Sequence, residues 1–473
     1  MKILYAASEA RPFIASGGLA DVAGSLPKAI RTKQHQCRVV LPLYGTMKPE
    51  DRAKLTFITS FQLQLSWRSQ YCGIFQAVDQ GVVYYFIDNE YYFKRDTIYS
   101  YGDDAERFAF FSKAILEMLN YIDYEPDIIN CNDWQTALVP VFLRCFYMGS
   151  ERHRRLKTVF TIHNIQYQGQ FGMDILGYVL GIPSYQAGIL EYGGCVNYMK
   201  GAIETCDMVT TVSPTYAQEI LTPWFAHGLD GLLRDRQYKL CGIVNGIDLV
   251  SNDPATDKAM FRNFSIDNLW ERGENKRALQ ERVGLEQRED AMLIGIVTRL
   301  VSHKGVDLIQ YIFHDLMRLD VQIVLLGSGD QNYEDFFREM QGRYPGRVSS
   351  TIGFIPDLAK KIYGGVDAFL MPSKSEPCGL AQMIALRYGA IPIIRETGGL
   401  KDTIKDLGGK DGNGFTFQSY NAHDMLGAIE RCKTLFDDKE KWQAAVRHAL
   451  ECDFSWDKSA DEYIAMYHRV LES

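Results

Sequence analysis

Short apolar runs with β-strand character recur along the chain. KILYAA, CRVVLPL, VVYYFID, DIINCN, KTVFTIHN and MVTTVS lie in the first half, and LIGIVTRL, VQIVLLG, AFLMPS and IPIIRE in the second. Between them lie stretches such as GVDLIQYIFHDLMRL, whose apolar residues return at spacings of three and four. That spacing puts one apolar stripe on a helix. Strand and helix alternation predicts parallel sheets covered by helices, the doubly wound α/β class. Such sheets take their ligands at the carboxyl ends of their strands.

A boundary falls within KLCGIVNGIDLVSNDPATD, where strand-like CGIV gives way to Asn-Gly and a polar stretch with Pro254. A new helix and strand series starts near residue 270. The expected domains are 1–245 and 246–455. No short repeat recurs, but SGGLAD at 16–21 reappears as TGGLKD at 397–402, each between a strand-like run and helically spaced apolar residues.

Length and composition narrow the picture. A chain of 473 residues is too long for one ordinary core. Its hydrophobic content of 46% and charged content of 23% are those of a soluble protein. The net charge, 51 − 59 = −8, does not favour nucleic acid or an anionic membrane as partner. No apolar run is long enough to span a bilayer. MKILYAASEA is too short and polar for a secretory signal and reads as a first strand. Ten scattered cysteines without a C-x-x-C pair fit reduced thiols, and so a cytoplasmic location.

Five stretches carry candidate chemistry. Gly17 and Gly18 precede an amphipathic run. The pair marks either a tight turn or a helix N-terminus whose N–H groups meet an anion. The stretch matches neither the phosphate-loop pattern nor the dinucleotide fingerprint, and GSGDQN at 327–332 has Asn where a third glycine belongs. In TRLVSHKGVDL, Arg299 and Lys304 flank the loop after a strand, where a guanidinium fork and an ammonium suit a diphosphate; the alternative is a solvated pair at a loop mouth. In MPSKSEPCGLAQ, Glu376 begins a polar turn before a helix near Leu380, as a ligand contact or as a helix cap. His163 and Asn164 end strand KTVFTIHN, and Asn132 and Asp133 end DIINCN in the same way. A histidine so placed can bond substrate hydroxyls or serve structure.

Taken together, the N-terminal K-I-L, SGGLADV, NDWQT, TIHNIQYQG, VNGID, TRL…KG, SEPCGL and TGGL resemble the starch/glycogen synthases over nearly the whole chain and in order. The resemblance implies a retaining glucosyltransferase of the GT-B fold, two Rossmann-like domains facing a deep interdomain cleft. Its donor is expected to be ADP-glucose and its acceptor the non-reducing end of an α-1,4-glucan such as glycogen. No cofactor and no metal is implied, and the chain holds no Asp-x-Asp to bind one. The last segment, 456–473, is expected to return to the first domain as a helix. Residue by residue, the resemblance places Arg299 and Lys304 on the donor diphosphate and Glu376 on the transferred glucose. It places the Cys378, Gly379 and Leu380 backbone around sugar and phosphate, and Phe354 against the adenine. Gly17, Gly18 and Asp21 line the donor from the first domain, His163 lies near the reacting sugar, and Asn245 in the cleft.

The chain departs from the family pattern at Ala15-Ser16, where the common bacterial form is Lys-Thr before Gly-Gly-Leu. Arg11 or another cation is expected to compensate. Gln135 stands where many relatives have His, so no proton transfer is assigned to it. The aromatic stretch 84–111 suits either acceptor glucan or core packing. Two other readings remain, a UDP-glucose enzyme of the same fold and a catalytically weak glucan-binding subunit. A dehydrogenase lacks its fingerprint, and a phosphorylase its pyridoxal-phosphate lysine site.

Overall fold

A computed structural model describes residues 1–472. Ser473, the last residue of the expected C-terminal helix, lies outside the described residues. The chain folds as two units, Met1–Asn245 together with helix Trp456–Glu472, and Gly246–Ser455.

In the first unit the strands are β1 (Lys2–Ala6), β2 (Gln36–Pro42), β3 (Thr56–Leu65), β4 (Arg68–Asp79), β5 (Val82–Asp88), β6 (Ile128–Asn132) and β7 (Lys157–Ile162). Then follow β8 (Gln170–Phe171), β9 (Glu191–Tyr192), β10 (Cys195–Asn197), β11 (Met208–Thr211) and β12 (Leu240–Gly242). Nine of them form one sheet in the order β12-β11-β7-β6-β1-β2-β5-β4-β3, and β8, β10 and β9 form a small antiparallel sheet. Pairing is parallel from β12 to β5 and antiparallel from β5 to β3. The chain winds outward from β1 through β2 and β5 to one side, and through β6, β7, β11 and β12 to the other. Winding therefore reverses between β1 and β6, and the loops leaving their carboxyl ends diverge there.

Helix Trp456–Glu472 closes this unit. Its Trp456, Ala460, Tyr463, Met466, Tyr467 and Val470, spaced by three and four, join the core around Ile3 and Tyr5. Tyr467 Oη donates to Asn130 Oδ1 at 2.9 Å, and Ser459 Oγ to Val244 O at 2.6 Å.

The second unit holds β13 (Met292–Val297), β14 (Val321–Gly327), β15 (Val348–Ile352), β16 (Ala368–Met371), β17 (Ile391–Arg395) and β18 (Phe415–Phe417), in the order β15-β14-β13-β16-β17-β18. All its pairs are parallel. Alternate residues enter two cores, as a sheet covered on both faces requires. Met292, Ile294 and Ile296 join one, and Leu293 the other; Val321, Ile323 and Leu325 are likewise split from Val324 and Leu326. Winding here reverses between β13 and β16.

The ten predicted strands are all present, with ends within about three residues of the apolar runs. The sequence pattern did not predict β3, β4, β15, β18 or the small sheet. β15, with sequence VSSTI, is an edge strand and half-exposed, so it needs no apolar run. In β3 most side chains reach solvent, which leaves only Leu63 and Leu65 buried.

Candidate active site

The switch point of the second unit brings two of the predicted residues, Lys304 and Glu376, into contact. Arg299 leaves the end of β13, and a single 3-10 turn, Ser302–Lys304, follows. Gly305 then takes a left-handed φ of 76° and starts helix Val306–Leu316. A Cβ on Gly305 would stand 2.1 Å from Pro372 O, so the loop after β13 is pressed against the loop after β16. That contact sets Lys304 beside Glu376. Lys304 Nζ donates to Glu376 Oε2 at 2.6 Å, and Ser373 Oγ donates to the same oxygen at 3.1 Å. The two charged side chains are only 17% and 10% exposed. Lys304 is thus no solvated loop-mouth residue, while Arg299 is exposed.

Glu376 does not cap the following helix. Helix Ala381–Arg387 starts after Leu380, which makes no side-chain cap. Cys378 and Gly379 shape the turn through their carbonyls, which accept Gln382 Nε2 at 3.1 and 2.9 Å. The turn also lies on Gly398 and Gly399 of the second Gly-Gly-Leu motif, where Gly399 N donates to Glu376 O at 3.2 Å. Phe354, in the loop after β15, is 88% exposed, a large ring that this unit leaves uncovered.

The first unit has a second constellation at its own switch point. Helix Gly18–Thr32 begins at the glycine pair, with Gly17 as N-cap, so of the two readings the helix N-terminus holds. Glu9, which no sequence motif singled out, anchors the loop before it. Buried just after β1, Glu9 takes the Ser16 and Gly17 N–H groups on Oε2, the latter at 3.1 Å. The Gly17 amide is therefore already engaged, and an anion at this loop would meet the first-turn amides of Gly18 and Leu19. Asp21 is bound by Arg11 at 2.6 Å, both exposed, so the cation expected to replace the absent lysine is held at this helix.

His163 and Asp133 sit on neighbouring strand ends. The His163 N–H donates to Asp133 Oδ1 at 2.8 Å. Asp133 has the unusual backbone φ of 56° for a non-glycine residue. Burial pushes its carboxyl up to about 7, against the two backbone N–H bonds that lower it. His163 Nε2 lies 2.8 Å from Asn132 Oδ1. The Asn132 amide nitrogen donates to Ala6 O and Asn130 O, which fixes Oδ1 as acceptor and His163 as the Nε2–H tautomer. Burial lowers His163 to about 4, so the ring is neutral and its Nδ1 is a hydrogen-bond acceptor. It is structural on one edge and suited to a hydroxyl on the other. Asn245, the last residue of this unit before the C-terminal helix, is buried, and its Oδ1 has no hydrogen-bond partner among the described residues.

The aromatic stretch 84–111 is mainly core, since Tyr84, Tyr85, Phe86, Tyr92, Phe93, Phe108, Phe110 and Phe111 are buried and Tyr91 is exposed. Among the described residues no helix is long and apolar enough to cross a membrane.

Comparison with known proteins shows the family. Residues 2–235 match the family model for the starch synthase catalytic domain, and residues 279–449 that for glycosyl transferases group 1. Glycogen synthase of Anoxybacillus flavithermus is 46% identical over 475 residues, covering 100% of this chain and 98% of that protein. Glycogen synthase of Clostridium perfringens is 48% identical over 476 residues, covering 100% and 99%. Among solved structures, the catalytic domain of starch synthase IV from Arabidopsis thaliana, bound to ADP and acarbose, superposes with a TM-score of 0.91 at 35% identity, covering 100% of this chain and 99% of that one. Sucrose-phosphate synthase from Thermosynechococcus elongatus, at 15% identity and a TM-score of 0.62 over 100% and 99%, shares the fold. This chain belongs to the glycogen and starch synthase family, glycosyltransferases of the GT-B fold.

Proposed function

We propose that this chain transfers glucose from ADP-glucose to the non-reducing end of an α-1,4-glucan with retention, elongating glycogen. The observation that carries the reading is the Lys304–Glu376 pair at the β13–β16 switch point, with Nζ 2.6 Å from Oε2 and Arg299 in the same loop as Lys304. The ADP bound to the Arabidopsis relative supports adenosine as the nucleoside.

In this reading the donor diphosphate lies against Arg299 and Lys304. As the bond from the sugar's anomeric carbon to the phosphate oxygen stretches, negative charge gathers on the diphosphate and positive charge on the sugar. Lys304, already held by Glu376, and Arg299 beside it stabilise that state more than the ground state. Glu376 holds the Lys304 ammonium in position and offers its carboxylate to the hydroxyls of the transferred glucose. The neutral His163, with Nδ1 as acceptor, takes a hydrogen bond from a sugar hydroxyl and does not act as a cationic acid near neutral pH. The acceptor hydroxyl enters on the face that the diphosphate leaves, and the diphosphate takes its proton. The charge is met by protein cations, and no bound metal is invoked.

Incubating the purified chain with glycogen and either ADP-glucose or UDP-glucose tests the reading. Nucleotide release and glucan growth with ADP-glucose are expected. Preference for UDP-glucose would replace the donor, and binding to glycogen without nucleotide release would replace the enzyme with a glucan-binding protein.

A further inference from the structure

His303 lies in the turn between the two cations assigned to the diphosphate. Its Nε2 is 3.5 Å from Arg299 Nη2. A guanidinium can only donate, so Nε2 presents its lone pair and the ring proton sits on Nδ1. The ring is half-buried, and its backbone is fixed because His303 O accepts Lys374 N at 2.9 Å. Lys304 follows directly and reaches Glu376 at 2.6 Å. The charged groups that act on His303 are Lys304 and Arg299 from its own loop, Glu376 from the loop after β16 and Asp330 from the loop after β14. Burial, then Lys304 and Arg299, hold the imidazole below its usual value against the two carboxylates, so it is neutral at pH 7 in the free protein.

We propose that His303 is a third phosphate-binding group of this site, neutral in the free protein and taking up a proton when the diphosphate of a nucleotide sugar settles against Arg299 and Lys304. The inference rests on the functional reading above. A diphosphate bound to Arg299 and Lys304 brings two negative charges beside the imidazole and offsets the repulsion that keeps it neutral. An opposite charge within about 4–6 Å moves a titrating group by roughly 1–3 units toward its charged form. The proton comes from solvent and rests on Nε2, which turns from accepting Arg299 to donating to a phosphate oxygen. Arg299 is released to the ligand in the same step.

Linkage fixes the sign. The bound state holds more protons than the free state, so donor affinity rises as pH falls between the bound and free titration points. The diphosphate of a nucleotide sugar is esterified at both ends and lacks the second ionisation that a phosphate monoester shows near about pH 6. The slope therefore belongs to the protein.

The experiment measures binding of ADP-glucose by calorimetry, between about pH 5.5 and 8, to the wild-type chain, His303→Gln and His303→Lys, each checked for folding by circular dichroism. For the wild type, affinity is expected to weaken about 3- to 10-fold as pH rises, with proton uptake seen as a dependence on buffer ionisation enthalpy. His303→Gln is expected to be flat at the weak end, and His303→Lys flat at the tight end. A slope shared by wild type and His303→Gln, or wild-type binding without proton uptake, overturns the proposal. Transfer to glycogen is assayed on the same samples. Its absence in the wild type refutes the functional reading, whereas wild-type transfer with a slope unaffected by His303→Gln refutes only the role of His303.

Discussion

The two Gly-Gly-Leu motifs look alike in sequence but differ in what their glycines do, and alanine substitution separates them. At Gly399 an added Cβ would stand 2.2 Å from Cys378 O, and at Gly398 1.9 Å from Glu376 O with φ at 43°. Ordinary contact begins near 3.4 Å, so the Glu376–Cys378 turn must move by more than an ångström. Gly399→Ala is therefore expected to reach the upper end of overpacking costs, about 3 kcal/mol. For a unit of this size that lowers Tm by about 6–12 °C. Gly18 has no described protein atom within 4 Å of an added Cβ, and Gly17 is in extended backbone at φ −153° that any residue adopts. Gly18→Ala sits at a helix start, where alanine is the better former, so Tm should hold or rise slightly. Packing within the protein does not require glycine there. If the donor lies on that backbone, a methyl that shifts it by about 1 Å lowers kcat/KM by about 100-fold. Thermal melts and initial rates with ADP-glucose and glycogen read both effects. A fully active Gly18→Ala would refute the ligand role of the first motif, and an undiminished Tm in Gly399→Ala would refute the packing role of the second.

Three further outcomes follow from the site. Lys304→Gln leaves the buried Glu376 carboxylate without its ammonium and should cost about 3–5 kcal/mol of stability, while Lys304→Gln with Glu376→Gln recovers much of it and remains inactive, as denaturant melts and transfer assays would show. Asp133 titrates near 7 when folded and at the ordinary carboxylate value when unfolded, so its ionisation opposes folding as pH rises. Asp133→Asn should gain stability over the wild type by up to about 1.4 kcal/mol per pH unit between about pH 4 and 7; comparison with the wild type is needed because His163, lowered to about 4, contributes the opposite slope below its unfolded value near about 6.5. Phe354→Ala should leave Tm unchanged, the ring being 88% exposed, and raise KM for ADP-glucose several-fold while kcat stays constant.

Most of the parallel strands were legible because burial on both faces demands unbroken apolar runs, as in LIGIV and VQIVLLG, whereas β18, at three residues, is too short to show one. The edge strand β15 and the β3–β4 hairpin were not, since half-exposed strands carry no such demand. Within the site, Arg299, Lys304 and Glu376 were readable from motifs, but the meeting of Lys304 with Glu376 depends on β13 pairing with β16, a contact between distant segments. Glu9 stood in the sequence only as one polar residue of MKILYAASEA. Its bonds to Ser16 and Gly17 depend on how the loop after β1 folds back, which no local pattern encodes. Ser373 and His303 were likewise visible as letters in the two loops and acquired meaning only from the Lys304–Glu376 pair between them.

The central claim is that the protein's cations stabilise the departing diphosphate and not merely the bound donor. Its most direct test is kcat at saturating ADP-glucose and glycogen for Arg299→Gln against the wild type. The account predicts a fall of about 100- to 1,000-fold in kcat itself. A higher KM with kcat unchanged would show that Arg299 binds ground state and transition state alike, and would contradict it.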